Sequence, residues 1–515
     1  MGAIELNSKV KTADDVDDAS AEEGVWRYAM AERASVIVDA EDYFALMQDA
    51  MLEARQRILM IGWDFDTRIH LADGRRWWQR GRREQHPKRL GSFILWLTRK
   101  NRGLEVRILK WSYGVLQFAT RGSMAVDLMR WWRNKQIDFH FDTAHPVAAS
   151  HHQKIVVIDD RFAVCGGIDM TTHRWDTREH LETDPRRKRP RGKAYGPWHD
   201  ATMMLDGPVA KALGDLGRDR WVRAGGTALE MVTVPEKSPW PESLTAQFEN
   251  VEVGIARTRG EYSGESGVDE IADLFEKQIL EAKHFIYAES QYFASRRIAT
   301  AICKRLMQDD PPEVLIVHPQ NADGFLEQQA MDHARAELVR TLGDQDPQKR
   351  FNLYVPFTGQ TPIYVHAKIM IVDDKILRIG SANMNNRSMG LDSECDVFID
   401  CHRPLNAHAG DAVARLRYSL LAEHCGLEEE EVPQLIARHG GMAAMIEHLG
   451  LERGRTLRRY ELPELNSVQE TLAESSILDP EKPEDMFEPY AKGGLFRSNS
   501  LLGRARKRLM RRKKP

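Results

Sequence analysis

Ser150-His-His-Gln-Lys-Ile-Val-Val-Ile-Asp-Asp-Arg-Phe-Ala-Val-Cys-Gly-Gly-Ile-Asp169 decides how the 515-residue chain folds. Its apolar run 155–158 reads as a strand, Asp159-Asp160-Arg161 as a turn, and 162–165 as a returning strand. Residues two apart on a strand share a face, so His152 and Lys154 point the same way. Ile363-Tyr-Val-His-Ala-Lys-Ile-Met-Ile-Val-Asp-Asp374 repeats the arrangement, with His366 and Lys368 ahead of the strand and Asp373 at the turn. His152 and His366 lie 214 residues apart, and Lys154/Lys368, Asp159/Asp373, Gly166/Gly380 and Asp169/Asn383 share that offset. Five matched positions at one spacing indicate a duplicated unit.

The surroundings repeat as well. Short buried strands are expected at 57–62, 104–110, 284–288 and 313–317. Helical patterns lie around 92–100, 122–134, 269–282, 296–308 and 326–341. Strands alternating with helices predict an α/β fold built from two duplicated α/β sandwich halves, each with a mainly parallel or mixed sheet, and the active site where they meet. The expected divisions are an acidic disordered N-terminus at 1–27, a first half at 28–225, a proline-rich linker at 226–249 and a second half at 250–425. A small helical appendage at 426–470 and an irregular tail at 471–515 complete the chain.

Composition narrows the class. Hydrophobic residues make up 42% and charged residues 29%, as in a globular protein, and the formal net charge of -4 gives no global pull toward nucleic acid. The basic end, with Arg504, Arg506, Lys507, Arg508, Arg511, Arg512, Lys513 and Lys514, is the exception. Near an anionic leaflet each such cation contributes ~1 kcal/mol at most. Five widely spaced cysteines without a CxxC argue against a disulfide framework or a zinc site. The acidic start does not resemble a signal peptide, and no apolar run approaches the ~18 residues of a bilayer span. We therefore expect a cytoplasmic monomer, free or peripheral on the inner face of the membrane.

Two HxK strand ends brought together place two imidazoles and two ammonium groups in one pocket, which suits phosphodiester cleavage. One neutral imidazole attacks phosphorus and the other, protonated, donates to the leaving oxygen. The lysines stabilise charge on the equatorial oxygens, and no metal or cofactor is required. Asp159 and Asp373 sit at hairpin turns on the other strand parity and read as structural.

These segments resemble the phospholipase D superfamily, most closely the eukaryotic-type enzymes without accessory lipid-binding domains. The resemblance rests on His151-His152-Gln153-Lys154, Gly166-Gly-Ile-Asp169, Arg174-Trp-Asp176, Pro197-Trp-His-Asp200, the block 363–374, Ile379-Gly-Ser-Ala-Asn-Met-Asn-Asn-Arg-Ser388 and Asp392-Ser-Glu394. Ala367 departs from the serine usual there. The resemblance implies a phosphohistidine at His152, with His366 as general acid and then water-activating base. It places Lys154, Lys368 and Asn383 at phosphate-binding positions, with Ser381, Asn385 and Asp169 as weaker candidates. Glu394 is the acid expected to orient His366, and Asp176, with Glu179 as fallback, the one expected to orient His152. His199 and Asp200 are read as structural. The expected activity is hydrolysis of phosphatidylcholine or phosphatidylethanolamine to phosphatidate, with transfer to another alcohol as a side reaction. A cardiolipin synthase-like phosphatidyltransferase is the alternative, followed by a nuclease. The expected partner is phospholipid at a membrane surface, with residues 503–515 binding anionic lipid and no specific nucleic acid.

Overall fold

The computed structural model describes residues 22–462 apart from 73, 77–84, 112–121, 147–148 and 322–324. The expected disordered and basic stretches at 1–21 and 463–515 therefore lie outside the described residues. Residues 22–27 were expected to belong to the disordered end. Instead Val25 and Trp26 are buried, and Trp26 N–H donates to Ile255 O at 2.8 Å.

The sheet explains the internal repeat. In the first half, Ile137–Asp142, Glu105–Trp111 and Arg57–Gly62 pair in parallel. The row continues antiparallel through Ile155–Ile158, Phe162–Gly166, Ala201–Asp206 and Arg27–Val38. The second half repeats this order with Phe351–Thr358, Glu313–Val317, Phe285–Glu289, Ile369–Val372, Ile376–Gly380, Glu394–Asp400 and Phe248–Arg259. Arg27–Val38 pairs antiparallel with Phe248–Arg259, joining the two rows at their equivalent ends. Each half is thus a mixed sheet, and the chain is a doubled unit joined edge to edge.

Period-2 alternation within these strands buries both faces. Ile155, Val157, Ala163 and Cys165 share one apolar core with Ile369, Ile371, Ile379 and Cys395, so the inner faces of the two halves pack on each other. Val156 and Ile158 turn outward against the helices Ala40–Leu52 and Leu90–Lys100. Met370 and Val372 do the same against Glu270–Glu281 and Arg296–Leu306. These helices cover the outer faces, while Pro208–Arg223 and Gly410–Cys425 add their apolar residues to the inner core between the two sheets.

The two hairpin turns are built alike. Asp159 and Asp160 have φ of 53° and 51°, and Asp373 and Asp374 both have 52°, a left-handed pair at the centre of a tight turn closed by Arg161 N–H on Ile158 O and Lys375 N–H on Val372 O. Asp159 accepts N–H bonds from Arg55, Gln56 and Arg57 at 2.6–2.8 Å. Asp373 accepts from Lys283, His284 and Phe285 at 2.7–2.8 Å. Their neighbours anchor equivalent helices: Asp160 pairs with Arg218 of Pro208–Arg223, and Asp374 with Arg417 of Gly410–Cys425.

Trp240 of the linker is buried and packs edge-on to Phe162 at 6.2 Å. One expectation changes. The appendage holds the helices Glu431–His439 and Met442–Leu449, but also a strand, Arg455–Arg459, that extends the second sheet antiparallel to Phe351–Thr358.

Candidate active site

The pocket forms where each HxK strand end meets the opposite half. His152 N–H donates to Ser393 O at 2.9 Å, and His366 N–H donates to His199 O at 2.7 Å. These bonds set each histidine beside the residue that follows its partner. Nδ1 of His152 lies 3.0 Å from Glu394 Oε2, and Nδ1 of His366 lies 2.7 Å from Asp200 Oδ2. Each half therefore supplies the acid for the other half's histidine.

This corrects the sequence reading of the acids. Glu394 serves His152, not His366. Asp176 serves neither: it accepts from Arg187 Nη1 at 3.0 Å and Trp198 N–H at 2.8 Å, and meets His180 Nδ1 at 3.1 Å. Glu179 is exposed. Asp200, read as structural, is the acid at His366. A signal for it existed: Asp200 immediately precedes strand Ala201–Asp206, as Glu394 opens the equivalent strand Glu394–Asp400.

The tautomer at His152 follows from its partners. Nδ1 lies 2.9 Å from Ser381 O, and a carbonyl oxygen only accepts. Nδ1 therefore carries the proton and Nε2 keeps its lone pair for attack.

The phosphate shell is smaller than expected. Lys154 Nζ donates to His152 O at 2.9 Å and lies 3.4 Å from Asp169 Oδ2. Lys368 Nζ donates to His366 O and, at 3.3 Å, to Gln291 Oε1. Asn383 Oδ1 is buried without a hydrogen-bond partner; an amide oxygen only accepts, so Nδ2 of this side chain is the atom that can donate to a phosphate oxygen. Three weaker candidates are committed elsewhere. Ser381 Oγ donates to Glu394, as does Ser388 Oγ at 2.7 Å, so Ser381 helps hold the acid. Asn385 caps a short helix by accepting from Ser388 N–H at 3.2 Å. Asp169 accepts from Trp63 N–H at 3.1 Å and faces Lys154, and an anionic group of this kind would repel phosphate.

Electrostatics keep both imidazoles neutral in the free protein. Burial, reinforced by Lys154 and Lys368, holds His152 well below the usual imidazole range. Burial, then Lys368, Arg174 and Lys154, does the same to His366. Burial also pushes Glu394 up to about 8 and, with Lys154 nearby, brings Lys368 down to about 7. The wall is aromatic: Trp198 stacks on Tyr364 at 4.6 Å and sits 5.2 Å from the His366 ring, with the Arg174 guanidinium over the Trp198 ring at 4.3 Å.

A cleft of about 860 Å³ opens beside the loop that follows Asp169. Arg68, Lys88, Arg89, Arg186, Lys188 and Arg189 line it, with Trp175 and Tyr195. Arg186, Lys188 and Arg189 thus turn one basic segment of the chain, 186–191, toward this cleft. Among the described residues, no helix is long and apolar enough to cross a membrane.

Comparison with known proteins agrees with this architecture. The family model for phospholipase D matches residues 50–305, and that described as cardiolipin synthase, PLD-like domain matches 275–416. Phospholipase D A of Dictyostelium discoideum is 24% identical over 78% of this chain and 36% of its own length. Phospholipase D alpha 1 of Zea mays is 26% identical over 76% of this chain and 64% of its own. The chain thus spans about a third to two thirds of these relatives. The solved structure of phosphatidylserine synthase from Haemophilus influenzae superposes with a TM-score of 0.51 at 12% identity, covering 81% of this chain and 95% of that one, which shows a shared fold. With two family models spanning 50–416 between them, each containing one copy of the HxK strand end, the chain belongs to the phospholipase D superfamily.

Proposed function

We propose that the protein is a phosphodiesterase of the phospholipase D type, acting on glycerophospholipids such as phosphatidylcholine or phosphatidylethanolamine. The observation that carries this reading is the reciprocal pairing of His152 with Glu394 and His366 with Asp200, around two lysines.

Nε2 of His152 attacks phosphorus, and the bond from phosphorus to the headgroup oxygen breaks. His366 gives that oxygen its proton, so the free alcohol leaves. Water then attacks the phosphatidyl-histidine and loses a proton to His366. The phosphorus–nitrogen bond breaks, releasing phosphatidate and restoring both imidazoles. Lys154, Lys368 and Asn383 hold the equatorial oxygens throughout. An alcohol in place of water gives transfer.

The description of the model matching 275–416 as a cardiolipin synthase domain favours phosphatidyl transfer as the second reading. The name of the phosphatidylserine synthase neighbour bears on that protein alone. A product assay on mixed phospholipid vesicles with ethanol present tests both. Choline or ethanolamine release with phosphatidylethanol supports the hydrolase, and cardiolipin formation supports the transferase. No turnover of any phospholipid, with cleavage of DNA alone, overturns the lipid reading.

A further inference from the structure

Directly behind Asp200 lies a second group of side chains that the phosphate chemistry does not use. Asp39, His180, His199 and Glu423 are all buried, and one ligand atom from each lies within 4.8 Å of every other. Nε2 of His180 is 3.0 Å from Glu423 Oε1 and 3.4 Å from Asp39 Oδ2. Nδ1 of His199 is 2.8 Å from Glu423 Oε1 and 3.5 Å from Asp39 Oδ1. A tetrahedral ion with bonds of ~2.0–2.2 Å needs neighbouring ligand atoms about 3.4 Å apart.

Two further observations point to a shared ligand rather than to a closed hydrogen-bond network. Asp39 Oδ2 and His199 Nδ1 make no hydrogen bond, although both are fully enclosed. His199 Nδ1 sits at hydrogen-bonding distance from Glu423 without the alignment for one. The far nitrogen of each imidazole is held by a carboxylate: His180 Nδ1 by Asp176 at 3.1 Å, and His199 Nε2 by Glu289 at 2.7 Å. This is the outer shell that orients metal-bound histidines.

Charge is compatible with an ion. Four carboxylates meet here, and Arg178 and Arg187 balance two of them. The other two are matched either by a divalent cation with neutral imidazoles or, without an ion, by protonated His180 and His199, which the carboxylates hold above the usual imidazole range despite burial. We propose that Asp39, His180, His199 and Glu423 bind a divalent transition-metal ion of the zinc class. Two nitrogens and two oxygens in a closed site suit such an ion better than calcium or magnesium, which take six or more oxygens. The ion ties His199 to the end of the first strand and to the last helix of the second half, and so positions the adjoining Asp200 against His366.

The test uses the full chain purified without a metal-affinity tag and dialysed against chelator. Titration with zinc should show one tight site and raise Tm, and cobalt should give the strong visible spectrum of a four-coordinate ion. Glu423→Gln and Asp39→Asn should lose the tight site at least tenfold in affinity while keeping the parent's circular dichroism. His152→Ala, in the phosphate pocket, should retain it. Absence of a stoichiometric site in the parent overturns the proposal, as does loss of binding in His152→Ala alone. If either carboxylate variant fails to fold, the parent's cobalt spectrum decides: a weak six-coordinate spectrum refutes the assignment. Since metal binding is read without turnover, the proposal stands or falls separately from the phosphodiesterase reading.

Discussion

Glu394 in the second half lies 3.0 Å from Nδ1 of His152 in the first, so neither half alone contains a complete histidine-acid pair. The reverse pairing, Asp200 to His366 at 2.7 Å, makes the dependence mutual. The site is complete only where the two halves meet.

The exchange has a kinetic signature. Replacing either acid by its amide keeps the shape but weakens stabilisation of the imidazolium, and should lower kcat by roughly 100-fold or more. The two variants should differ by leaving group. Asp200→Asn impairs the proton donor, so a p-nitrophenyl phosphodiester, whose leaving oxygen needs little protonation, should restore most of its activity. Glu394→Gln impairs the nucleophile and should be slow on both substrates. Equal rescue of the two variants would contradict the assignment.

Substrate must re-protonate the site. His366 is held well below the ordinary imidazole range by burial and by Lys368, Arg174 and Lys154, so it is neutral in the free protein near pH 7. A bound anion offsets the two ammonium groups and raises that pKa, so the complex binds more protons than the free protein. Calorimetry of a phosphate-mimicking oxyanion such as vanadate, in buffers of differing ionisation enthalpy near pH 7, should show uptake approaching one proton. His366→Ala should remove most of it, leaving only the fraction that Lys368, brought down to about 7 in the free protein, takes up. Proton release on binding by the parent would contradict the sign.

Asn383 and Asn385 separate substrate binding from stability. If Nδ2 of Asn383 donates to a phosphate oxygen, Asn383→Ala should cost roughly 100-fold in kcat/KM with little change in Tm. Asn385 accepts from Ser388 N–H as a helix cap, so Asn385→Ala should cost about 1 kcal/mol of stability and only a few-fold in turnover. Steady-state kinetics beside thermal melts check both.

The turn aspartates are tested in the same way. Asp159 accepts three backbone N–H groups, and Asp159→Ala should destabilise the fold by ~2–4 kcal/mol. The folded fraction should keep turnover within a few-fold. Denaturant melts give the first quantity and activity per folded molecule the second; a near-total loss of turnover in well-folded protein would return Asp159 to the chemistry.

The sequence made the local part of this site legible. Strand parity put His152 and Lys154 on one face, and the repeat at 366 and 368 doubled the evidence. The acids were not legible in the same way, because their partners lie across the joint and loop lengths differ between copies. Asp200 and Glu394 are 194 residues apart, not 214, so the register that found the histidines misses them. Ser381 matched a family position but is turned toward Glu394 by the strand that carries it. The added strand Arg455–Arg459 escaped notice because three of its five residues are arginines, as suits a charged outer edge of a sheet.

The central claim is a phosphohistidine formed at a site that both halves complete. Rapid acid or base quenching of the enzyme with phosphate-labelled phosphatidylcholine, followed by peptide mapping, tests it most directly. The account predicts labelled phosphatidyl on the peptide carrying His152, accumulating in His366→Ala and absent from His152→Ala. Label confined to the His366 peptide would reverse the two roles, and turnover without any labelled histidine would contradict the covalent mechanism.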